Sequence, residues 1–429
     1  MGKLYQIKEY GSFVRDKTVA GSISLPPNTF DALENFLLSQ RSADSDALQL
    51  MSISTRKGVG KIITAQNYVG VITMQDGTSI EILPKIYAPH ETNTDGQVKR
   101  LLIDMLKTLR DAPFQSLQST SVNIDALPIF EIFIRMFVEE VFRIVKRGLQ
   151  CDYETVQSNE SVCKGKLVFS GQIKYNYAHK ERSFIEYDTF STNRAENKIL
   201  KSTLVYLYKK TTSSKNKTDI KTLLHTFSAV EESKNYATDF AKIVLDRKMA
   251  DYQMALRWSK VFLMKKSFTS FSGEEQAYAL LFPMETLFES YIATKLKKML
   301  SPSDYTFSVQ DKTYHLFDEP KKFLLKPDIV ITNRQSGRVF VMDTKWKVLS
   351  DTKPNYGILQ ADMYQMYAYQ KKYDAENVTL LYPLTEKVEP NQDIRFVSHD
   401  GAEIKVRFVD LFDLKNSLES IVRELEKTE

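Results

Sequence analysis

The stretch LLKPDIVITNRQSGRVFVMDTKWK, residues 324–347, decides the fold, because it reads as two strands around a polar turn. Residues 324–333 are aliphatic and β-branched, residues 338–348 repeat that character, and Arg334-Gln335-Ser336-Gly337 separate them. A four-residue loop pairs Asn333 with Arg338. Carried outward, that register sets Asp328 opposite Asp343, with Cβ atoms about 5 Å apart. Side chains alternate along a strand, so Asp343 and Lys345 are expected on one face with Asp328, and Thr344 on the other.

Two carboxylates that close repel unless a cation lies between them. Hard oxygen ligands with no His or Cys nearby favour Mg²⁺ or Mn²⁺ over zinc. A lysine beside such a metal orients or deprotonates the attacking water and stabilises charge on a phosphorane-like transition state. The pattern therefore points to metal-dependent phosphodiester hydrolysis. Asp328 and Asp343 interrupt the apolar runs DIVI and VFVM, where an unpaired buried carboxylate is costly.

Pro327-Asp328 followed by Asp343-x-Lys345 resembles the PD-(D/E)xK nuclease signature. Gln365-Met-Tyr-Ala-Tyr369 resembles the QxxxY element of RecB-like and Cas4-like nucleases. A helix is predicted over 356–373 with Ile358, Leu359, Met363, Met366 and Tyr367 as its apolar positions. Asp362, Gln365 and Tyr369 would share its other side, facing the site or DNA.

A wider set of segments is similar to the McrC subunits of McrBC-type, modification-dependent restriction systems. They are VGVITMQDGTSIEILPKI (69–86), FEIFIRMFVEEVFRIVKRGL (130–149), CKGKLVFSGQI (163–173), FSTNRAENKILKSTL (190–204) and FPMETLFESYI (282–292), followed by KPDIVI, DTKWK and QMYAY. The resemblance implies an endonuclease of a 5-methylcytosine-type restriction complex that cuts double-stranded DNA with Mg²⁺ or Mn²⁺. It also implies docking through residues 1 to about 150 on a separate McrB-like AAA+ GTPase ring, which reads the modified site and whose GTP hydrolysis this chain stimulates. By the same likeness Glu289 lies on the helix before the hairpin, where an acidic residue completes the metal site with Asp328 and Asp343. Its bland reading is a surface Glu on an amphipathic helix. The catalytic set is then Asp328, Asp343, Lys345, Gln365 and Glu289, with Lys326, Trp346, Lys347 and Tyr369 as DNA contacts.

The chain itself carries no nucleotide site. Gly60-Lys61 is followed by Ile62, and Thr55 stands where a P-loop needs its first Gly. Two cysteines, Cys151 and Cys163, make neither a disulfide framework nor a four-thiolate iron–sulfur site, and the five histidines lack zinc spacing. MGKLYQIKEY has no apolar signal core, and charged residues such as Glu131, Arg135, Glu139 and Glu140 break the longest apolar helix. A cytoplasmic protein without a membrane span is expected. Net charge is only +5, yet residues 321–353 hold eight basic residues against three Asp. Residues 201–217 add five lysines without an acid, equally suited to tracking phosphates or to keeping a surface solvated.

Composition, 42% hydrophobic and 26% charged over 429 residues, supports a large core in two or three domains of mixed α/β and α+β class. Strand patterns at 47–54, 61–74 and 78–86, the last two joined at Gln75-Asp76-Gly77, predict a β-rich N-terminal domain over 1–115. Helices are predicted over 98–109 and 128–147, the second started at Pro128 and stopped at Gly148. A helical and mixed middle domain covers 116–272, with a helix at 199–208 and a flexible loop TTSSKNKT at 211–218. Residues 273–429 are read as the nuclease domain, a mixed central sheet flanked by helices. Two rival readings are a stand-alone nuclease needing no NTPase, and a non-cleaving DNA-binding regulator whose acidic hairpin holds a structural metal.

Overall fold

In the computed structural model the described residues are 3–39, 41–42, 45–46, 50–74, 76–86, 95–109, 127–244, 249–264, 277–389 and 392–426. The expected domain starts at 116 and 273, and Gln75 of the expected turn, lie outside them. The chain divides into two compact units instead of three consecutive domains: Met1–Ile129 with Ser267–Glu429, and Phe130–Lys266.

The apolar run 61–74, expected as one strand, breaks at Gln66-Asn67 and supplies a strand to each of two sheets. Gly60–Ala65 pairs with Ser12–Arg15 and Met51–Arg56, and Ser12–Arg15 pairs in parallel with Ser22–Leu25. Tyr68–Met74 lies antiparallel to Ser79–Leu83, which runs parallel to Leu4–Lys8. The far edge of that second sheet comes from more than two hundred residues away: Ala277–Pro283 pairs antiparallel with Tyr68–Met74. Gly70 permits this approach. At φ +137° a Cβ there would lie 2.0 Å from the Leu280 carbonyl oxygen, so only Gly fits. Both sheets and the helix Pro27–Ser39 bury one core that includes Phe13, Leu33, Ile63, Ile72, Ile82 and Leu281. Each such side chain contributes about 1.5–3 kcal/mol through burial. Ala277–Pro283 is thus part of the N-terminal sheet, which is why a domain cut at 273 does not match the structure.

The remainder of this unit is a six-stranded mixed sheet in the order Tyr305–Val309, Ile329–Asn333, Val339–Thr344, Asn377–Pro383, Glu403–Val409, Ile394–Val397. Its first two pairings and its last are antiparallel; Val339–Thr344, Asn377–Pro383 and Glu403–Val409 run parallel. The central strand Asn377–Pro383 is buried along its whole length, as a continuous apolar run requires. Helices Met284–Met299, Gln360–Tyr373 and Leu414–Glu426 pack on the sheet or on each other. The helix expected from 356 begins only at Gln360, because Asn355, Tyr356 and Gly357 all adopt positive φ in the preceding turn.

In the second unit the helix Ile129–Arg147 ends before Gly148 at φ +93°. In its core Trp258 stacks on Phe262 and meets Phe133 at a tilt, with ring centroids 5.4 and 5.8 Å apart. The TTSSKNKT segment is no flexible loop: a helix starts at Ser214, with Ser213 as its N-cap. Buried Glu131 organises that start, accepting hydrogen bonds from Thr211 Oγ1, the Thr212 amide and Asn216 Nδ2 at 2.6–2.8 Å. Strands Asp152–Glu160 and Ser183–Ser191 form an antiparallel pair. No described helix is long and apolar enough to cross a membrane.

Candidate active site

The Arg334–Gly337 turn is closed by Asn333. Its side-chain Oδ1 accepts from the Gln335 and Ser336 amides at 2.9 and 3.0 Å, and its amide donates to the Arg338 carbonyl at 2.9 Å. The register follows from it: Thr332 opposite Val339 and Ile329 opposite Met342, which leaves Asp328 one step beyond the last pair, level with Asp343. The first strand is shorter than expected. Residues 324–333 do not form one strand, because Pro327 lacks an amide donor and breaks the ladder.

Leaving the strand gives the Asp328 carboxylate freedom to turn onto its neighbour. Oδ2 accepts from both the amide and the hydroxyl of Thr344, each at 2.7 Å. Thr344, expected on the opposite face, therefore holds one of the two acids. Asp343 is buried and sits 2.6 Å from the Lys345 ammonium, the same-face relation that alternation requires. That contact is off the hydrogen-bond direction, so Asp343 Oδ2 has no well-aligned donor. Burial, and then the neighbouring Asp328, push the Asp343 carboxyl up to about 7. Burial raises Asp328 as well, against the pull of its Thr344 hydrogen bonds. For Lys345, burial disfavours the ammonium, but Asp343, with Asp362 and Asp328 behind it, outweighs this and raises its pKa.

Two helices bring the other candidates. From Met284–Met299, Glu289 comes under the influence of Asp328, and burial with that charge raises it to about 7. Its Oε1 accepts from Gln310 Nε2 at 2.7 Å, while the Gln310 amide donates to the Asp328 carbonyl at 2.9 Å. Gln310 escapes a reading of the sequence because it lies on another strand end with no motif around it; only the pairing of Tyr305–Val309 with Ile329–Asn333 reveals it. From Gln360–Tyr373, Gln365 is exposed, with Oε1 3.5 Å from Lys345 Nζ and Nε2 donating to Tyr369 Oη at 2.7 Å.

Three of the four expected DNA contacts are engaged otherwise. Tyr369 is 1% exposed and belongs with Met366 and Tyr373 to the buried face of its helix, whereas Tyr367, expected as apolar core, is on the surface bonded to Asp400. Tyr369 thus backs Gln365 from inside the fold. Lys347 is paired with Asp362 at 3.0 Å. Trp346 presents no free ring: it is buried, packs on Phe288 at 5.4 Å, and donates its indole N–H to Glu9 Oε1 at 3.1 Å. Of the four, Lys326 alone is exposed.

Glu9 is itself buried, and its other oxygen accepts from the Lys85 amide at 2.9 Å. Burial raises its carboxyl from 4.5 to about 7, against those two hydrogen bonds. Between these values the unfolded chain is ionised and the folded one protonated, so unfolding releases a proton and stability falls as pH rises from 4.5 to 7. Relative to Glu9→Gln, the wild-type protein is expected to lose about 3 kcal/mol over that interval. Urea unfolding of both proteins at pH 5 and pH 7.5 measures the difference, and parallel pH dependences would contradict it.

Among the described residues no three His, Cys, Asp or Glu side chains close into a metal cage. Asp328 raises both of the other acids of the expected triad, Asp343 and Glu289, but the three are not gathered: the Lys345 ammonium lies against Asp343, and the Gln310 side-chain amide donates to Glu289. The donor set still fits a hydrated Mg²⁺ or Mn²⁺. Such an ion keeps several waters and needs one or two protein carboxylates, and Asp343 Oδ2 is a buried oxygen without an aligned donor. Asp328 and Asp343 would hold it.

A family model described as McrBC 5-methylcytosine restriction system component matches residues 63–383. Among solved structures, the chain resembles one in a refined half-complex from a tetradecameric assembly of Thermococcus gammatolerans McrB AAA+ hexamers with bound McrC. That match has 18% identity, covers 100% of both chains and gives a TM-score of 0.70, a likeness of fold. A chain of the Thermococcus gammatolerans McrBC complex seen by cryo-electron microscopy matches at 20% identity over 70% of this chain and 88% of that one, with a TM-score of 0.47. No curated protein matches.

Proposed function

The chain belongs to the McrBC 5-methylcytosine restriction system component family, and from that premise we propose that it is the McrC-type nuclease subunit, a PD-(D/E)xK enzyme cutting double-stranded DNA in concert with a McrB-like AAA+ ring. The observation that carries this reading is the buried Asp343 with Lys345 at 2.6 Å, level with Asp328 at the end of the hairpin. A buried acid pair whose ionisation burial disfavours, beside a lysine and at the end of two interior strands, is costly to keep without a role.

A divalent cation bound there supplies Lewis-acid polarisation of the scissile phosphate. Within the protein, Thr344 fixes the Asp328 carboxylate through two donors, so that the free oxygen has one direction. Asp343 holds the Lys345 ammonium where it meets an attacking water or the charge growing on phosphate oxygens. Gln365, buttressed by Tyr369, lies near the same ammonium and limits its wandering.

The partner is proposed from the fold shared with a chain of an assembly containing McrB AAA+ hexamers and from the lack of any P-loop here. The test combines the purified chain, its candidate AAA+ partner, GTP, Mg²⁺ and methylated duplex DNA. Cleavage requiring all five supports the proposal; full cleavage without partner and GTP would favour a stand-alone nuclease, and no cleavage under any condition would favour a regulator. A second expectation follows for docking. Asp343→Ala should stimulate partner GTP turnover within about twofold of wild type, since the carboxylate lies inside the nuclease site; a phosphate-release assay reads this directly.

A further inference from the structure

Between the first strand of the six-stranded sheet and the strand leading from Asp328, the chain leaves the sheet as a two-stranded ribbon. His315–Asp318 runs antiparallel to Lys321–Leu324, with Phe317 opposite Lys322 and Asp318 opposite Lys321. All nine residues 316–324 are exposed, yet four are large and apolar: Leu316, Phe317, Phe323 and Leu324, with Phe323 70% exposed. An isolated two-stranded ribbon is marginal in water, and a concentration of exposed apolar residues marks a surface that something covers. Phe323 has φ +59°, breaks the ladder, and sets its ring edge-on to Phe317 at 5.9 Å. Bulky residues rarely accept that backbone.

The root of the ribbon is fixed to the fold by backbone and ring contacts, and near its tip Asp318 pairs with Lys372 of the helix Gln360–Tyr373. The Leu325 amide donates to the Tyr314 carbonyl at 2.9 Å, Tyr314 packs edge-on against Tyr373 at 4.7 Å, and Tyr373 Oη donates to Asp311 at 2.9 Å. Charge on the arm is biased. Lys312, Lys321, Lys322 and Lys326 are all exposed against one exposed acid, Glu319, because the Asp318 carboxylate is taken by Lys372 at 2.7 Å. The arm also starts at the site itself: Lys326 is two residues from Asp328, and its ammonium favours the charged forms of Asp328 and Glu289. Four paired residues reach about 13 Å, comparable with the ~12 Å width of a B-DNA major groove, which admits a two-stranded ribbon.

We infer that residues 312–326 form an arm that enters the major groove of duplex DNA and seats it at the Asp328/Asp343 site, with Lys321 and Lys322 on phosphates and Phe317 and Phe323 against base edges. The inference rests on the nuclease reading and adds its DNA-holding element. Apolar side chains meet thymine methyl groups in that groove, and lysines flanking them meet the backbone.

The test uses the full-length Asp343→Ala chain, which keeps the arm but lacks a ligand, and a fluorescent 30-base-pair duplex titrated at several KCl concentrations. Adding Lys321→Ala with Lys322→Ala is expected to weaken binding at least tenfold and to reduce the slope of log affinity against log salt by about two. Adding Phe317→Ser with Phe323→Ser should weaken binding about tenfold and leave the slope unchanged. Thermal unfolding should match the parent for both, because the substituted side chains are exposed. Parent-like DNA affinity in both variants overturns the arm while sparing the nuclease reading. Parent-like DNA affinity with lost association to the AAA+ ring would also overturn it, and would make the ribbon a protein-docking element. A parent chain that neither binds nor, with Asp343 restored, cuts duplex DNA overturns both inferences.

Discussion

Asp343→Ala, assembled with partner, GTP and Mg²⁺, is expected to leave methylated DNA uncut, with a rate at least about 10³-fold below wild type. Metal assistance of this kind contributes several kcal/mol to the transition state, and each 1.36 kcal/mol is tenfold in rate. The neighbouring acids are engaged: Asp328 with Thr344, Glu289 with Gln310 and Asp362 with Lys347. Asp328→Ala should fail equally. Folding should survive both changes, because each removes a buried acid whose charged form is disfavoured by burial. Cleavage assays beside circular dichroism measure the two outcomes, and a folded Asp343→Ala protein that cuts at more than a few per cent of the wild-type rate would falsify the assignment.

Lys345→Ala should separate binding from chemistry. Its carboxylates remain, so calorimetric titration with Mn²⁺ should show binding at least as tight as wild type, since the ammonium that competes for Asp343 is gone. Cleavage should fall by about 10²–10⁴, the usual scale for losing a proton-transfer group or a charge-stabilising donor. Lys345→Arg should recover little, because a planar fork does not replace a compact ammonium. Normal cleavage by Lys345→Ala would move this side chain out of the chemistry and onto the phosphate-contacting surface.

What was legible in the residues was local. The four-residue turn set the hairpin register, and period-two alternation put Asp343 and Lys345 on one face, because both depend on backbone geometry within some twenty residues. The mixed sheet with flanking helices followed from strand and helix patterns in the same way. Thr344 was misjudged because alternation holds only inside a ladder, and Asp328 lies one residue past its end. Tyr369 and Trp346, expected as DNA contacts, are buried for reasons no local pattern carries: Met366 and Tyr373 in one case, and Glu9, over three hundred positions away, in the other. The strand Ala277–Pro283 carries no local sign that its partner is Tyr68–Met74. Cutting the chain at 273 to isolate a nuclease half would strip that strand of its sheet and Trp346 of its acceptor, so point substitutions are the sounder dissection.

That strand also has a consequence in time. A ribosome releases Tyr68–Met74 roughly two hundred residues before Ala277–Pro283, which at 5–20 residues per second is about 10–40 s. Throughout that interval the N-terminal sheet has an open edge and Glu9 has no indole to receive. The segment 130–266 emerges and can fold first, as a unit of its own. The N-terminal sheet is in this way completed only when Ala277–Pro283 has left the ribosome. Arrest of translation before residue 277 should therefore yield nascent chains whose first 74 residues remain open to protease, and protection should appear only once Pro283 has cleared the exit tunnel.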